Sequence, residues 1–227
     1  MSLKIRGWRT ITKWIIWSIV VILFLVFLVR VAVFENNYYT EKQGSERETV
    51  EVIATGEELE EEKPSENEIK EYKVSPDRPR YLSIEKLGVV NARILPMTVK
   101  IGGELDTPRN IFDVGWYEGS DKPGMGGTMV IDGHNGGPHV HGVFKELPSL
   151  VSGDIIKVER GDGVVFKYKV VENITVPLGE SDKYMSVALK SPESGKESIT
   201  LITCTGEWSQ KQKTYLSRQF TRAVLLD

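Results

Sequence analysis

Apolar and polar positions fall into three blocks along the 227 residues of the chain. From Trp14 to Val29 every residue is apolar except Ser18, and the run resumes as Val31-Ala32-Val33-Phe34 after Arg30. An apolar run of roughly 20 residues is what a helix needs to cross a bilayer core. Residues 14–34 are therefore expected to form a transmembrane anchor. Arg30 lies near one end, where its long side chain can snorkel to the interface. Trp8, Trp14 and Trp17 on one side, with Tyr38 and Tyr39 on the other, suit the two interfacial belts. Residues 1–13 carry Lys4, Arg6, Arg9 and Lys13 and no acid, which predicts a cytoplasmic N-terminus and an extracytoplasmic remainder. The run is long for the core of a signal peptide and no Ala-x-Ala site follows it, so an uncleaved, single-pass anchor is expected.

The second block, residues 35–79, is polar and acidic, with the run Glu57-Glu58-Leu59-Glu60-Glu61-Glu62 followed by Pro64, Pro76 and Pro79. Low hydrophobicity with like charge predicts an extended extracytoplasmic linker. A short helix over 57–63 would have little to pack against.

In the third block, residues 80–227, the pattern changes to short runs with strand character. Tyr81–Ile84, Ala92–Leu95 and Thr128–Ile131 read as strands, and a helical turn is expected over Phe144–Leu150. The clearest hairpin is Ile155–Val158, the turn Arg160-Gly161-Asp162-Gly163, and Val164–Val171. Its second arm alternates Phe166, Tyr168 and Val170 with Lys167 and Lys169, the mark of a half-buried strand. Many short strands with glycine turns point to a mainly β domain, a barrel or a sandwich.

A formal net charge of -3 supplies no basic field for nucleic acid. Cys204 is the only cysteine, so no intrachain disulfide can form. It follows the β-branched, apolar run Ile199-Thr200-Leu201-Ile202-Thr203, and Thr205-Gly206-Glu207 breaks that pattern. The thiol is thus expected where a strand gives way to a loop.

All three histidines are close in sequence: His134, His139 and His141. His134 lies just past the Thr128–Ile131 strand in Asp132-Gly133-His134-Asn135-Gly136-Gly137. An imidazole beside Cys204 would stabilise a thiolate and return a proton to a leaving amine. Two parallel neighbouring strands would bring the pair together. His139-Val140-His141 with Asp132 and His134 offers zinc-type ligands, but a further ligand at a defined spacing is missing. His139 and His141 fit a solvated loop better, so no metal site is expected. If the Cys204 strand returns through a symmetric loop, Arg218 opposes Cys204 and Arg222 opposes Thr200. A guanidinium beside the nucleophile can bind a substrate carbonyl or an oxyanion.

Thr200-Leu201-Ile202-Thr203-Cys204 resembles the Thr-Leu-x-Thr-Cys signature of the sortases, membrane-bound cysteine transpeptidases of bacterial surfaces. Gly133-His134, followed by Phe144, Leu147 and Gly153-Asp154, is similar to that family's catalytic-histidine segment. Val114-Gly115-Trp116-Tyr117 with Pro123-Gly124 resembles the less studied classes, D to F, more than the staphylococcal class A type. The resemblance implies an eight-stranded sortase barrel with short helices and catalytic roles for His134, Cys204 and Arg218; Thr203, next to the thiol, is a candidate substrate contact. It also implies that Cys204 cleaves a C-terminal sorting signal similar to Leu-Pro-x-Thr-Gly through a thioester. The bound protein then passes to an amine of the cell-wall precursor or a pilin, with slow hydrolysis as the default. No cofactor is expected, and calcium dependence is left open. Two alternatives differ in kind. One is an L,D-transpeptidase-like wall enzyme, whose expected Ser-x-Gly-Cys is not met by Ile202-Thr203-Cys204. The other is a non-catalytic anchored β-domain that binds wall polymers.

Overall fold

The computed structural model of the protein describes residues 59–100, 105–137 and 139–226. The anchor expected over 14–34 lies outside them. Among the described residues no helix is long and apolar enough to cross a membrane.

Eight strands form a closed barrel in the order β1-β2-β3-β4-β7-β8-β6-β5. They are β1 (Pro79–Ile84), β2 (Val89–Met97), β3 (Val114–Tyr117), β4 (Thr128–Gly133), β5 (Ile155–Arg160), β6 (Val165–Pro177), β7 (Ser198–Ser209) and β8 (Thr214–Leu225). Closure leaves no open edge along the sheet. Two neighbouring pairs are parallel, β2 with β3 and β4 with β7; the others are antiparallel. The β5–β6 hairpin forms where expected, with Val158 opposite Phe166 and Ile156 opposite Tyr168. The helical turn expected over 144–150 is a short 3-10 turn at Leu147–Ser149.

Apolar residues bury on two sides of the sheet. Leu82, Ile94, Met129, Ile131, Tyr168 and Leu201 fill the interior of the barrel. Val130, Val176, Ala188, Ile202 and Phe220 form a second cluster on its outer face. This second cluster explains why Thr128–Ile131 and Ile199–Ile202 read as unbroken runs rather than alternating ones, since both faces of β4 and β7 are covered. The cover on the outside includes α2 (Leu178–Ala188), which joins β6 to β7. Thr200 Oγ1 donates to the Ala188 carbonyl at 2.7 Å and fixes the end of this helix against β7. The helix carries no clear apolar stripe, because Gly179, Glu180, Ser181, Asp182 and Lys183 crowd its first half. Its sequence therefore does not announce it.

The folded unit starts earlier than expected. It runs from Glu58 to Asp227, so the linker drawn over 35–79 ends some twenty residues too late. The helix in this stretch is α1 (Glu66–Glu71), residues 59–63 being non-helical, and Ser65 and Glu68 close a reciprocal capping box at its start. Tyr72 Oη donates to the Ile94 carbonyl at 2.5 Å, and Tyr81 Oη donates to the Ile69 carbonyl. Isolated apolar and aromatic positions here meet a barrel wall, which composition averaged over the segment conceals.

Candidate active site

The parallel register of β4 and β7 runs from Thr128 opposite Ser198 to Asp132 opposite Ile202. Two residues further along come His134, the first residue past β4, and Cys204, still within β7. Hydrogen bonds lock this step: Thr203 Oγ1 donates to the Gly133 carbonyl at 2.7 Å, and Asn135 Nδ2 donates to the Cys204 carbonyl at 2.8 Å. On the other side of β7, the antiparallel register sets Cys204 opposite Arg218 and Thr200 opposite Arg222. The register thus places Cys204 across from Arg218 and beside the end of β4, where the histidine loop begins. The parallel neighbours expected for Cys204 and His134 are the observed ones, and so are the two cross-strand partners of the arginines.

Cys204 is not at a strand end. Strand β7 continues to Ser209, and pairing resumes at Trp208 opposite Tyr215 after an irregularity beyond Thr205. Gly206, at φ 82°, absorbs the extra residue as a bulge in a conformation that costs glycine little. A break in the apolar pattern here marks a bulge, not a loop.

Thr203 is completely buried, and its hydroxyl is engaged by Gly133. It ties β7 to β4 behind the thiol rather than offering a polar group to a substrate. Arg222 is also buried, donating to Glu172 Oε2 at 2.5 Å and to the Lys190 and Val187 carbonyls at 2.8 and 3.2 Å. It pins the chain at the end of α2 to β8. Arg218 folds back along its own hairpin, donating to the carbonyls of Tyr215 and Ser217 at 3.0 and 3.1 Å and to Thr214 Oγ1 at 3.3 Å. His139 and His141 are exposed, and no cluster of metal-type ligands occurs among the described residues.

Burial pushes the Cys204 thiol above its ordinary value; the Arg218 guanidinium pulls it down and the Asp132 carboxyl pushes it up. Burial lowers the His134 imidazole, opposed by its hydrogen bond to the Pro108 carbonyl. That bond, from Nε2 at 2.7 Å, also assigns the tautomer. A carbonyl can only accept, so Nε2 carries the hydrogen and Nδ1 is left as the base. With the thiol raised and the imidazole lowered, the resting pair near neutral pH is thiol and neutral ring.

Asp132 is a group that motif reading undervalued, weighing it only as a metal ligand. It stands two residues before His134, and its carboxyl accepts from Thr107 Oγ1 at 3.0 Å. Burial pushes it up to about 7, held back by Thr107, the Gly133 N–H and the positive field of Arg218. Asn135, a polar residue directly after the histidine, joins the site through its bond to the Cys204 carbonyl.

The histidine loop closes tightly on itself. Gly142 packs so close to the His134 carbonyl that a Cβ there would lie 2.4 Å from its oxygen. Its N–H donates to the Asn135 carbonyl, and the Phe144 N–H donates to the His134 carbonyl, both at 2.9 Å.

No curated protein matched the sequence. Among solved structures the chain is similar to a Clostridium perfringens sortase D5 transpeptidase, with 26% identity and a TM-score of 0.47 over 72% of this chain and 90% of that one. It is similar to a lid mutant of sortase A from Corynebacterium diphtheriae, with 26% identity and a TM-score of 0.48 over 67% and 71%. It is also similar to the pilus-related sortase C of Group B Streptococcus, with 22% identity and a TM-score of 0.50 over 74% and 79%, a likeness of fold. The Sortase domain family matches residues 82–225, nearly the whole barrel and more than half of the chain. The chain therefore belongs to the sortase family of cysteine transpeptidases.

Proposed function

We propose that the protein cleaves a C-terminal sorting signal similar to Leu-Pro-x-Thr-Gly on surface proteins and transfers them to an amine. The observation that carries this reading is the register that sets Cys204 opposite Arg218 on one side and next to the end of β4, just before His134, on the other. Cys204 passes its proton to Nδ1 of His134, and the thiolate attacks the carbonyl carbon of the signal's threonine. Arg218 turns from its hairpin carbonyls to the developing oxyanion, where a planar donor fork is effective. The carbon–nitrogen bond to the following glycine breaks, and the imidazolium gives its proton to the leaving amine. A thioester remains on Cys204. An incoming amine, from a cell-wall precursor or a pilin lysine, loses a proton to His134 and attacks the thioester, releasing the thiol. Water resolves the thioester more slowly.

The apolar run at 14–34 supports a cell-membrane location with the barrel on the outer side. A membrane-held enzyme meets both a secreted substrate and a wall precursor as they emerge.

The test is intact-mass spectrometry of the protein with a panel of sorting peptides, followed by a panel of amines. A peptide mass added at Cys204 and discharged by a defined amine is the expected result. Absence of any adduct across the panel, with the thiol still open to alkylation, would remove the reading.

A further inference from the structure

Two loops meet at His134. One is the stretch 134–143 after β4; the other is 106–113, whose Pro108 carbonyl holds Nε2. They touch directly where the Val143 N–H donates to the Ile111 carbonyl at 2.9 Å.

A third segment, ahead of the barrel, holds both. Glu60 pairs in parallel with Asn110. Its N–H donates to the Arg109 carbonyl and its carbonyl accepts from the Ile111 N–H, each at 3.0 Å. Asn110 Nδ2 adds a bond to the Glu62 carbonyl at 2.9 Å. Between these two residues, Glu61 turns the other way. Its Oε1 accepts from the consecutive N–H groups of His139 and Val140, at 2.9 and 3.4 Å. Gly137 lies against the same carboxylate, where a Cβ would come within 2.1 Å of that oxygen. Charge-assisted bonds of this kind are about twice as strong as neutral ones. Three consecutive residues thus bridge the loop that carries the imidazole and the loop that sets its tautomer.

We propose that Glu61 is a positioning residue for the active site, and that Glu60–Glu62 fix the orientation of His134 by clamping its two loops together. The chain that leads into the barrel is then part of the catalytic apparatus, and a change in how it is held alters turnover. The inference rests on the reading of His134 as the proton-transfer group, but fails separately from it.

The experiment uses the full-length chain in detergent with a 13C-labelled histidine ring. The His134 titration is followed by NMR, and peptide-to-amine transfer is measured in parallel. In Glu61→Ala the ring gains water, so its midpoint moves up toward the ordinary value near 6.5. Turnover falls about tenfold while KM changes less than about twofold, as expected for misplacement without loss of binding. Glu61→Gln keeps an oxygen for the two N–H groups and stays close to the parent in both. Folded Glu61→Ala with an unchanged midpoint and unchanged kcat overturns the proposal, because a purely structural carboxylate would alter only the melting temperature. Should Glu61→Ala fail to fold, Asn110→Ala, which removes the bond to the Glu62 carbonyl and the loop's own bond from the Phe112 N–H, is expected to move the midpoint the same way; no movement overturns the proposal equally. His134→Ala separates the two readings. If it retains transfer, the role of His134 is wrong, while the ring titration in the Glu61 variants still reads the clamp.

Discussion

Arg218 stands directly across the β7–β8 pair from Cys204, whereas Arg222 stands across from Thr200 and is tied to Glu172 at 2.5 Å. Alternation along β8 points both side chains to the same face, and four residues of strand separate them by about 13 Å. Only one guanidinium is therefore within reach of the thiol, and the other is a fastener for α2.

Substituting the two arginines is expected to divide activity from stability. Arg218→Ala should lower kcat/KM by about a hundredfold with little change in melting temperature. Arg222→Ala should leave the activity of the folded fraction nearly intact. Its cost falls on folding, about 2 kcal/mol, below the range for a fully buried pair because Glu172 is partly exposed. Denaturant titration alongside steady-state kinetics distinguishes them, and the opposite pattern would overturn the register argument.

The pH dependence of thiol reactivity follows from the two shifts. With the thiol raised by burial, alkylation by iodoacetamide should climb with pH to a midpoint above the ordinary value of about 8.5. Arg218→Ala should raise that midpoint further, because the favourable charge is gone. Asp132→Asn should lower it, because an unfavourable one is gone. A midpoint that is the same in all three proteins would refute the electrostatic account.

Asp132 should also leave a mark on stability. Its pKa is near 7 in the folded protein, against about 3.9 when unfolded, so the folded state binds the extra proton. The stabilising contribution is full below the unfolded value and is lost as pH rises through about 7. Asp132→Asn should accordingly melt higher than the parent at pH 8, with the advantage vanishing toward pH 4. Thermal unfolding across that range checks the sign.

The buried tie behind the nucleophile is testable by a change that keeps its shape. Thr203→Val leaves the Gly133 carbonyl without its donor in a site with no access to water. The expected loss is about 1–2 kcal/mol of stability by chemical denaturation. Transfer activity should fall as well, since this bond fixes the step between β4 and β7.

Gly142→Ala should injure the site while sparing the barrel. The added methyl would collide with the His134 carbonyl, which cannot retreat without moving the imidazole. Circular dichroism is expected to remain that of the parent, with transfer reduced at least tenfold, about the scale of a misplaced catalytic group. Full activity in this variant would show that the loop tolerates more displacement than its packing indicates.

Strand identity was legible wherever apolar residues ran together or alternated, as at Thr128–Ile131 and along Phe166, Tyr168 and Val170. A symmetric return opposes Arg218 to Cys204, but counting from the Ser209–Thr214 turn alone would give Gln219. The extra residue at the Gly206 bulge shifts the register to Arg218. What stayed hidden involved surfaces that exist only after folding. The helix Leu178–Ala188 has too little stripe of its own and is held by Thr200 and Arg222 from other elements. The carboxyl of Asp132 acquires its character from burial and from a threonine 25 residues away. The residues of 59–78 looked like a tether because their composition is polar, and the barrel wall they lie against is formed by distant strands.

Local chemistry in the chain, then, determined the nucleophile, the imidazole beside a glycine turn, the mainly β pattern and the membership that its motifs point to. Those features depend on residue type and near-neighbour spacing, which a linear reading contains. Tertiary structure alone decided that β4 and β7 lie parallel, that Pro108 holds the imidazole in one tautomer, and that Glu61 reaches the loop of His139. Each of these joins residues 26 or more positions apart, and no local periodicity encodes which distant backbone groups will meet once the barrel closes.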